Sequence, residues 1–582
     1  MFWNRKQSFI AGDKARFDLL VAHDGLAGST AHRCTNPTRE VHGHGRARSA
    51  AGPVLARGAA ERGPPFANYG HRHRRSCAKI VWRLLHMEQP GWVTPASGAV
   101  MKLYERCANE IAELIRTRML RPGDRLPSVR AAIAARGLSR STVFEAYCLL
   151  ETRGLIEARP RSGYYVKTGL AHTKLQAPAD SRSDGRARNV DIGQLVFELL
   201  GPMARHEFAP LGSAFISPSL CPLTRLARHL WTEMRDLDPW RLIEDLATGN
   251  EALRRQIGLR YATNGIAVES TEVVLTNGGL EGMNLSLQAV TQPGDVVVVE
   301  SPTFYAALQS IERLHLRSLE VATSPSLGID IDALAAVLER QRVAACWLMT
   351  SFQNPLGSSM PEDRKKALVA LLAKHAIPLI EDDAYAELFF GAKRPLPAKA
   401  FDTEGLVMNC GSFSKCLAPG YRVGWVAGGR FAAKIEQMRL MYTLSPAIPA
   451  QAAIAAYLDQ GGYDRHLRRM RKALAGYLAV AVETVEMYFP AGTRMAVPEG
   501  GYFLWVELPK AVDAIELHTL ARERGISLSP GPLFSAARRF GNCVRLNYGH
   551  GGDPRFVPAL KTVGELATQC AASRHALASA RQ

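Results

Sequence analysis

The chain is poor in cysteine and has nothing that pairs the few it holds. Ten cysteines are scattered through 582 residues with no C-x-x-C spacing, which argues against a zinc site or disulfide scaffold and fits a reducing cytoplasm. Long apolar runs are missing as well. Val296-Val-Val-Val299 has the length of a strand, far short of what a bilayer span needs. The first residues, Met1-Phe-Trp-Asn-Arg-Lys-Gln-Ser, lack the order of a secretory signal, a basic start followed by an apolar core. What is present is a globular balance of 47% hydrophobic and 22% charged residues, with length for several domains.

Charge is unevenly placed. Of the net +18, residues 1–100 carry 15 Lys and Arg against 6 Asp and Glu, and residues 101–167 carry 13 against 7, which leaves +3 for the other 415 residues. A polyanion would therefore be met by the first part of the chain. Residues 1 to about 98 show no periodicity and contain tracts such as His42-Gly-His-Gly-Arg-Ala-Arg48 and His71-Arg-His-Arg-Arg75. They read as upstream sequence not normally translated, Met87 and Met101 offering later starts, or as a disordered tail. A histidine metal site is the other reading, but no ligand spacing repeats.

Residues 101–167 have the pattern of a compact unit. Leu103, Ile111, Leu114 and Ile115 mark one apolar helical face. Arg121-Pro-Gly-Asp124 breaks that helix, and Pro127 and Ser128 signal the start of a second. Gly137-Leu138 turns the chain into a third helix from Ser139 to Glu151, with Val143, Tyr147 and Leu150 inward. Two short strands follow, around the basic turn Arg159-Pro-Arg161 and ending at Val166. Helix-turn-helix plus a two-stranded wing suits double-stranded DNA, with Arg140, Ser141 and Thr142 at the exposed start of the third helix, where backbone amides also favour phosphate. Arg130, Ser139 and Arg161 complete the candidate set. A plain three-helix domain with a solvated basic face would give the same pattern.

This segment resembles the winged helix-turn-helix of the GntR family. Its Arg-Pro-Gly-Asp-Arg-Leu-Pro-Ser-Val-Arg, Ser-Arg-Ser-Thr-Val, Glu-Ala-Tyr, Leu-Glu-x-x-Gly-Leu-Ile and Arg-x-Arg-Ser-Gly-Tyr-Tyr-Val blocks stand in that family's order and spacing. One departure is Ala132-Ile-Ala-Ala-Arg-Gly137, where relatives carry a Leu-Ala pair and a second leucine. The second helix is therefore expected to pack less well. Residues 168–188 include Ala177-Pro-Ala-Asp-Ser-Arg-Ser-Asp-Gly-Arg and read as a flexible linker.

From about 189 to 570, strand-like runs alternate with helical segments, and residues 571–582 form a tail. The alternation implies an α/β fold with a mostly parallel sheet covered on both faces, and a ligand at the strands' C-terminal ends. The distinctive residues fall there. Lys415 stands alone in the uncharged run Asn409-Cys-Gly-Ser-Phe-Ser-Lys415, with Arg422 seven residues on. A lysine desolvated in a structured turn can attack a carbonyl, and an arginine beside it can hold a phosphate. Thr276-Asn-Gly-Gly-Leu-Glu281 exposes amides at a helix start, Phe304 and Tyr305 offer rings, Asn354 sits on a proline-locked turn, Asp382 and Tyr385 end a strand, and Arg545 lies on a late strand. Each has an ordinary structural reading alone. Together they match pyridoxal 5′-phosphate.

Residues 189–570 resemble a fold-type I aminotransferase through the ordered blocks Thr-Asn-Gly-Gly-Leu-Glu, Glu-Ser-Pro-Thr-Phe-Tyr, Gln-Asn-Pro-Leu-Gly, Glu-Asp-Asp-Ala-Tyr, Ser-Phe-Ser-Lys-x-Leu-Ala-Pro-Gly-Tyr-Arg-Val-Gly-Trp and Val-Arg-Leu-Asn. The resemblance implies that Lys415 bonds the cofactor's aldehyde, and that Gly279, Leu280, Ser412, Ser414 and Arg422 take its phosphate. It implies that Phe304 stacks on the ring, that Asn354 and Tyr385 face the ring oxygen, that Asp382 pairs with the ring nitrogen, and that Arg545 anchors a substrate carboxylate. One departure matters: relatives place a tyrosine and then Asp-Pro-x-Gly before the Leu-Arg pair, and here Ile243-Glu-Asp-Leu-Ala-Thr-Gly249 stands there without one. Both halves together resemble the MocR architecture of bacterial regulators. That implies a cytoplasmic, nucleoid-associated homodimer reading paired half-sites and sensing the cofactor, an amino acid or an amine. A working aminotransferase carrying a DNA-binding head, and a DNA-binding scaffold with an empty pocket, are the alternatives.

Overall fold

The computed structural model describes residues 102–116, 119–120, 124–152, 155–159, 162–166, 175–201 and 207–579. The N-terminal hundred residues with their histidine tracts, the turn at 121–123 and Arg161 lie outside the described residues.

The head is built of α1 (Leu103–Arg116), α2 (Val129–Arg136), α3 (Arg140–Thr152) and the antiparallel pair β1 (Ile156–Arg159) and β2 (Gly163–Val166). Local chemistry fixes its boundaries. The Ser128 hydroxyl accepts from the Ala131 amide at 3.2 Å and starts α2. Gly137 ends it in the left-handed region at φ 64°, its amide donating to the Ile133 carbonyl. Ser139 starts α3 by accepting from the Thr142 amide at 3.1 Å. Val143, Tyr147 and Leu150 are buried, together with Cys107, Ala108, Ile111, Leu126 and Ile156. Leu103 departs from expectation: it opens α1 and is 61% exposed, so the buried face begins at Cys107. Ala132 lines a cavity of about 20 Å³ with Ile111, Leu126 and Tyr147, where a longer side chain would reach into the core.

The large domain carries a nine-stranded sheet. Its strands are β3 (Arg188–Asn189), β4 (Val273–Thr276), β5 (Val296–Ser301), β6 (Arg317–Ser324), β7 (Gly328–Ile329), β8 (Ala345–Leu348), β9 (Leu379–Asp382), β10 (Val407–Ser412) and β11 (Gly424–Ala427). The order is β3-β6-β5-β8-β9-β10-β11-β4, with β7 beside β6. Strands β6, β5, β8, β9 and β10 are parallel, while β11 runs antiparallel to both β10 and β4. Val297, Val298 and Val299 are all fully buried, the signature of a strand covered on both faces. A second antiparallel sheet, β12 (Arg494–Met495), β13 (Phe503–Glu507), β14 (Ser529–Pro530) and β15 (Cys543–Asn547), runs in the order β12-β13-β15-β14.

The stretch read as a flexible linker is fastened from Leu175 onward. The Met495 amide donates to the Gln176 carbonyl at 2.8 Å. The Ser181 amide donates to the Thr323 carbonyl at 3.1 Å, and the Thr323 amide returns a bond to the Ser181 hydroxyl at 2.8 Å. Arg188 then pairs with Ser318, making β3 the edge strand of the large sheet. Polar composition misleads here because serines can serve an edge strand's unpaired backbone groups as readily as water does.

Candidate functional site

The C-terminal ends of β4, β5, β8, β9 and β10 meet on one side of the sheet, and each delivers one of the residues singled out above. Strand β4 runs through Asn277 and Gly278 into the helix Gly279–Val290. Gly278 has φ +85°, and a Cβ there would lie 2.6 Å from Arg422 Nη2. A Cβ on Gly424 would lie 2.5 Å from the Gly278 carbon and the Gly279 nitrogen. Only glycine lets these backbones approach, and the result is a helix start with open amides. Arg422, itself left-handed at φ 51°, donates to the Ser414 hydroxyl and the Asn277 carbonyl, both at 3.1 Å. The Ser412 hydroxyl accepts from the Ser414 amide at 3.0 Å. The Gly279 backbone, Ser412, Ser414 and Arg422 thus form one cradle. Leu280 points its side chain to the exterior and can offer only its amide.

Lys415 follows β10 and is half-buried. Its amine donates to the Ala214 carbonyl at 3.0 Å and lies 4.1 Å from the centre of the Phe215 ring. Burial pushes the amine down to about 7, with Arg545 and Arg422 adding to the depression and Asp382 opposing it. Asp382 ends β9 almost fully buried. Burial raises its carboxyl to about 6, against the pull of the Ala384 amide at 3.3 Å and of Lys415. Asn354 is fully buried, accepts from Arg545 Nη1 at 3.1 Å, and its Nδ2 has no partner among the described residues. Tyr385 is packed edge-on between Tyr502 and Phe503, with centroids 5.3 and 5.5 Å away, and burial pushes its phenol up. Phe304 is half-buried, 4.9 Å from Tyr305.

Arg545 decides what the pocket wants. It is fully buried, between the rings of Phe503 at 4.3 Å and Phe534 at 5.3 Å. Among the described residues its hydrogen-bond acceptors are neutral: Asn354, the Gly212 carbonyl at 2.8 Å, the Ser213 carbonyl at 3.2 Å and the Ser529 hydroxyl at 3.1 Å. Burial pushes the guanidinium down. A buried cation held only by neutral oxygens favours an incoming anion strongly.

Other contributors escaped the sequence reading. Glu300, at the end of β5, is buried and pushed up to about 8 by burial, though the Met349 amide donates to it at 3.0 Å. Gln353 donates to the Pro302 carbonyl at 2.7 Å and accepts from the Leu356 amide at 2.8 Å, tying the Phe304 loop to the Asn354 turn. Glu300 and Gln353 open the quoted Glu-Ser-Pro-Thr-Phe-Tyr and Gln-Asn-Pro-Leu-Gly blocks without a role being read for either, and an acid closing an apolar run was the available signal for Glu300. The segment with Gly212, Ser213 and Ala214 carried none. At the departure from the family pattern, Glu244 lies exposed on the helix Arg241–Thr248, and the neighbouring Asp245 is buried and accepts from Asn250 Nδ2 at 3.1 Å. Among the DNA candidates, Arg130, Ser139, Arg140 and Ser141 are exposed and Thr142 is half-buried.

The pocket fits pyridoxal phosphate on its own features: a glycine cradle that a Cβ would fill, an orphaned buried amide, a depressed amine facing a raised carboxyl, and a buried cation without an anion. Fold and site together define a DNA-binding head joined to a domain of the pyridoxal-phosphate-dependent transferase class. Residues 103–166 match the family model of bacterial regulatory proteins of the gntR family, and residues 246–555 match that of aminotransferase class I and II. The chain is 45% identical to the HTH-type transcriptional regulator YdcR of Escherichia coli over 80% of its own length and 99% of the relative's. It is 36% identical to YjiR of the same organism over 80% and 98%. The crystal structure of Pyrococcus horikoshii kynurenine aminotransferase in complex with PMP superposes with a TM-score of 0.60 at 28% identity, covering 64% of this chain and 94% of that one. The chain belongs to the MocR type of GntR-family regulators, in which a helix-turn-helix head is fused to a class I and II aminotransferase domain.

Proposed function

We propose that the protein is a bacterial transcription regulator that binds promoter DNA through its head and pyridoxal phosphate, together with an amino acid or amine, in its large domain. The observation that carries this reading is Arg545. A buried guanidinium without an anionic partner among the described residues, interacting with a lysine whose amine is lowered to about 7 and bonded to an asparagine with an unsatisfied amide, suits a carboxylated amine presented to a carbonyl cofactor. When bound, the cofactor supplies an electrophilic aldehyde and an electron-withdrawing ring. The chain's part is to position it. The cradle of Gly279, Leu280, Ser412, Ser414 and Arg422 holds its phosphate. Asp382 offers a carboxylate to the ring nitrogen, Asn354 and Tyr385 face the ring oxygen, Phe304 covers the ring, and Lys415 presents its neutral amine. In the head, Ser139 and the α3 residues Arg140, Ser141 and Thr142 meet DNA, with Arg130 of α2 and Arg161 as further contacts.

Two copies are expected to act together. Trp231, Trp240, Ile243, Met441 and Tyr442 are large apolar side chains left exposed, and a second copy covering them would present two heads to paired half-sites. Among the described residues no helix is long and apolar enough to cross a membrane, and the proposal places the protein in the cytoplasm, on the nucleoid when DNA-bound.

The deciding experiment is an electrophoretic mobility shift with DNA from upstream of a neighbouring gene. Affinity should change on adding pyridoxal phosphate, and an unmoved affinity refutes the regulator reading. The alternative, a working aminotransferase, is favoured by one observation: Lys415 lies within electrostatic reach of both Asp382 and Arg545. Sustained turnover of an amino donor with a 2-oxo acid at enzyme-like rates would establish it.

A further inference from the structure

Outside the pocket, Glu320 on β6 is only 6% exposed and accepts from four donors. One oxygen accepts from the Ala536 amide at 2.6 Å. The other accepts from the Ser301 hydroxyl at 3.3 Å, from the Ser535 hydroxyl at 3.1 Å and from Arg539. Arg539 also donates to the Ser301 hydroxyl at 2.9 Å and to the Arg182 carbonyl. One guanidinium therefore links the end of β5 directly, the loop that carries Ser535 through Glu320, and the segment leading in from the head directly.

Both of the first two partners lead into the pocket. Ser301 precedes Phe304 by three residues, and the Thr303 amide donates to the Phe534 carbonyl at 2.9 Å. Phe534 packs on Arg545 and Tyr305. The third partner belongs to a second, parallel attachment. The Ser183 hydroxyl donates to the Glu320 carbonyl. Thr323, which pairs with Ser181, accepts from the Ser301 amide at 3.0 Å.

We infer that Arg539 is a positioning residue that couples the ligand pocket to the tether of the DNA-binding head. The inference rests on the reading of the pocket as a cofactor site. A ring held under Phe304 and a carboxylate held on Arg545 both fix the loops on which Ser301 and Ser535 stand. Fixed loops hold Glu320 and Arg539 in the geometry that grips the Arg182 carbonyl, so occupancy of the pocket stiffens residues 175–189. Binding that orders a segment and a function that depends on that segment share one free energy.

Hydrogen exchange on the full-length chain, with and without pyridoxal phosphate, tests this directly. In the wild type the amides of residues 175–189 should slow by about fivefold or more on cofactor addition. Arg539→Ala should keep the bound cofactor's visible absorbance and lose that slowing. Arg539→Lys keeps a charge for Glu320 without the planar fork, and should restore part of it. Ser181→Ala, remote from the pocket, should also reduce the response and covers the case in which Arg539→Ala does not fold. Cofactor-independent exchange at 175–189 in the wild type overturns the inference, as does a full wild-type response in Arg539→Lys and Ser181→Ala alike. The regulator reading fails separately, on absent cofactor absorbance or on DNA affinity that ignores the cofactor.

Discussion

At the scale of single residues, the proposed roles of Lys415 and Asp382 would set a pH window for cofactor capture. Lys415 must be neutral to attack an aldehyde, and its amine, lowered to about 7, is neutral above that pH. Asp382, raised to about 6, is ionised above that value and ready for a protonated ring nitrogen. Both conditions hold only above about pH 7. The rate of cofactor uptake, followed by absorbance, is therefore expected to rise between pH 6 and 8 and then level. A rate that falls across that interval would contradict the assignment. Lys415→Ala should abolish the covalently held chromophore. Arg545→Leu should leave that chromophore in place and weaken amino acid binding by about 2–3 kcal/mol, the loss expected for hydrogen bonds to a charged group, measurable by calorimetry on the cofactor-loaded protein.

At the scale of elements, the turns matter more than the strands they join. Gly278→Ala would force a Cβ into the left-handed region and against Arg422. The fold should survive, with cofactor affinity reduced by about 1–2 kcal/mol. In α3, Arg140→Ala should weaken DNA binding and lower the slope of log affinity against log salt by about one, because one phosphate contact is lost. An unchanged slope argues against that contact. These turns were also the legible part of the sequence. Glycine pairs, a proline-locked amide and an acid at the end of an apolar run state their conformation within a few residues, so the α/β fold and the strand ends could be read directly. Leu103 could not be placed, because periodicity fixes a face and not the turn at which burial starts. The Arg539–Glu320 pair spans 219 residues, and no local pattern announces a partner so distant. The serines of 181–183 misled for a related reason: composition reports polarity, while the bonds that decide order come from β6.

At the scale of the whole molecule, the proposed association of two copies and the attachment of the head would together set how two heads meet DNA. Trp240 and Met441 are 68% and 77% exposed, and sedimentation should show a dimer that Trp240→Glu shifts toward monomer. The fastening of residues 175–189 then fixes a leash. Eight residues, 167–174, separate the last residue of the wing from the first fastened one, which caps their separation at about 30 Å even at full extension. Were the attachment released up to β3, the same leash would reach about 70 Å. A regulator on a short leash can bridge only half-sites on a narrow range of spacings and helical phases, whereas one on a long leash tolerates many. Docking of this stretch thus converts a choice between two contour lengths into a choice among operators, with no change in the surface of the head that reads the bases.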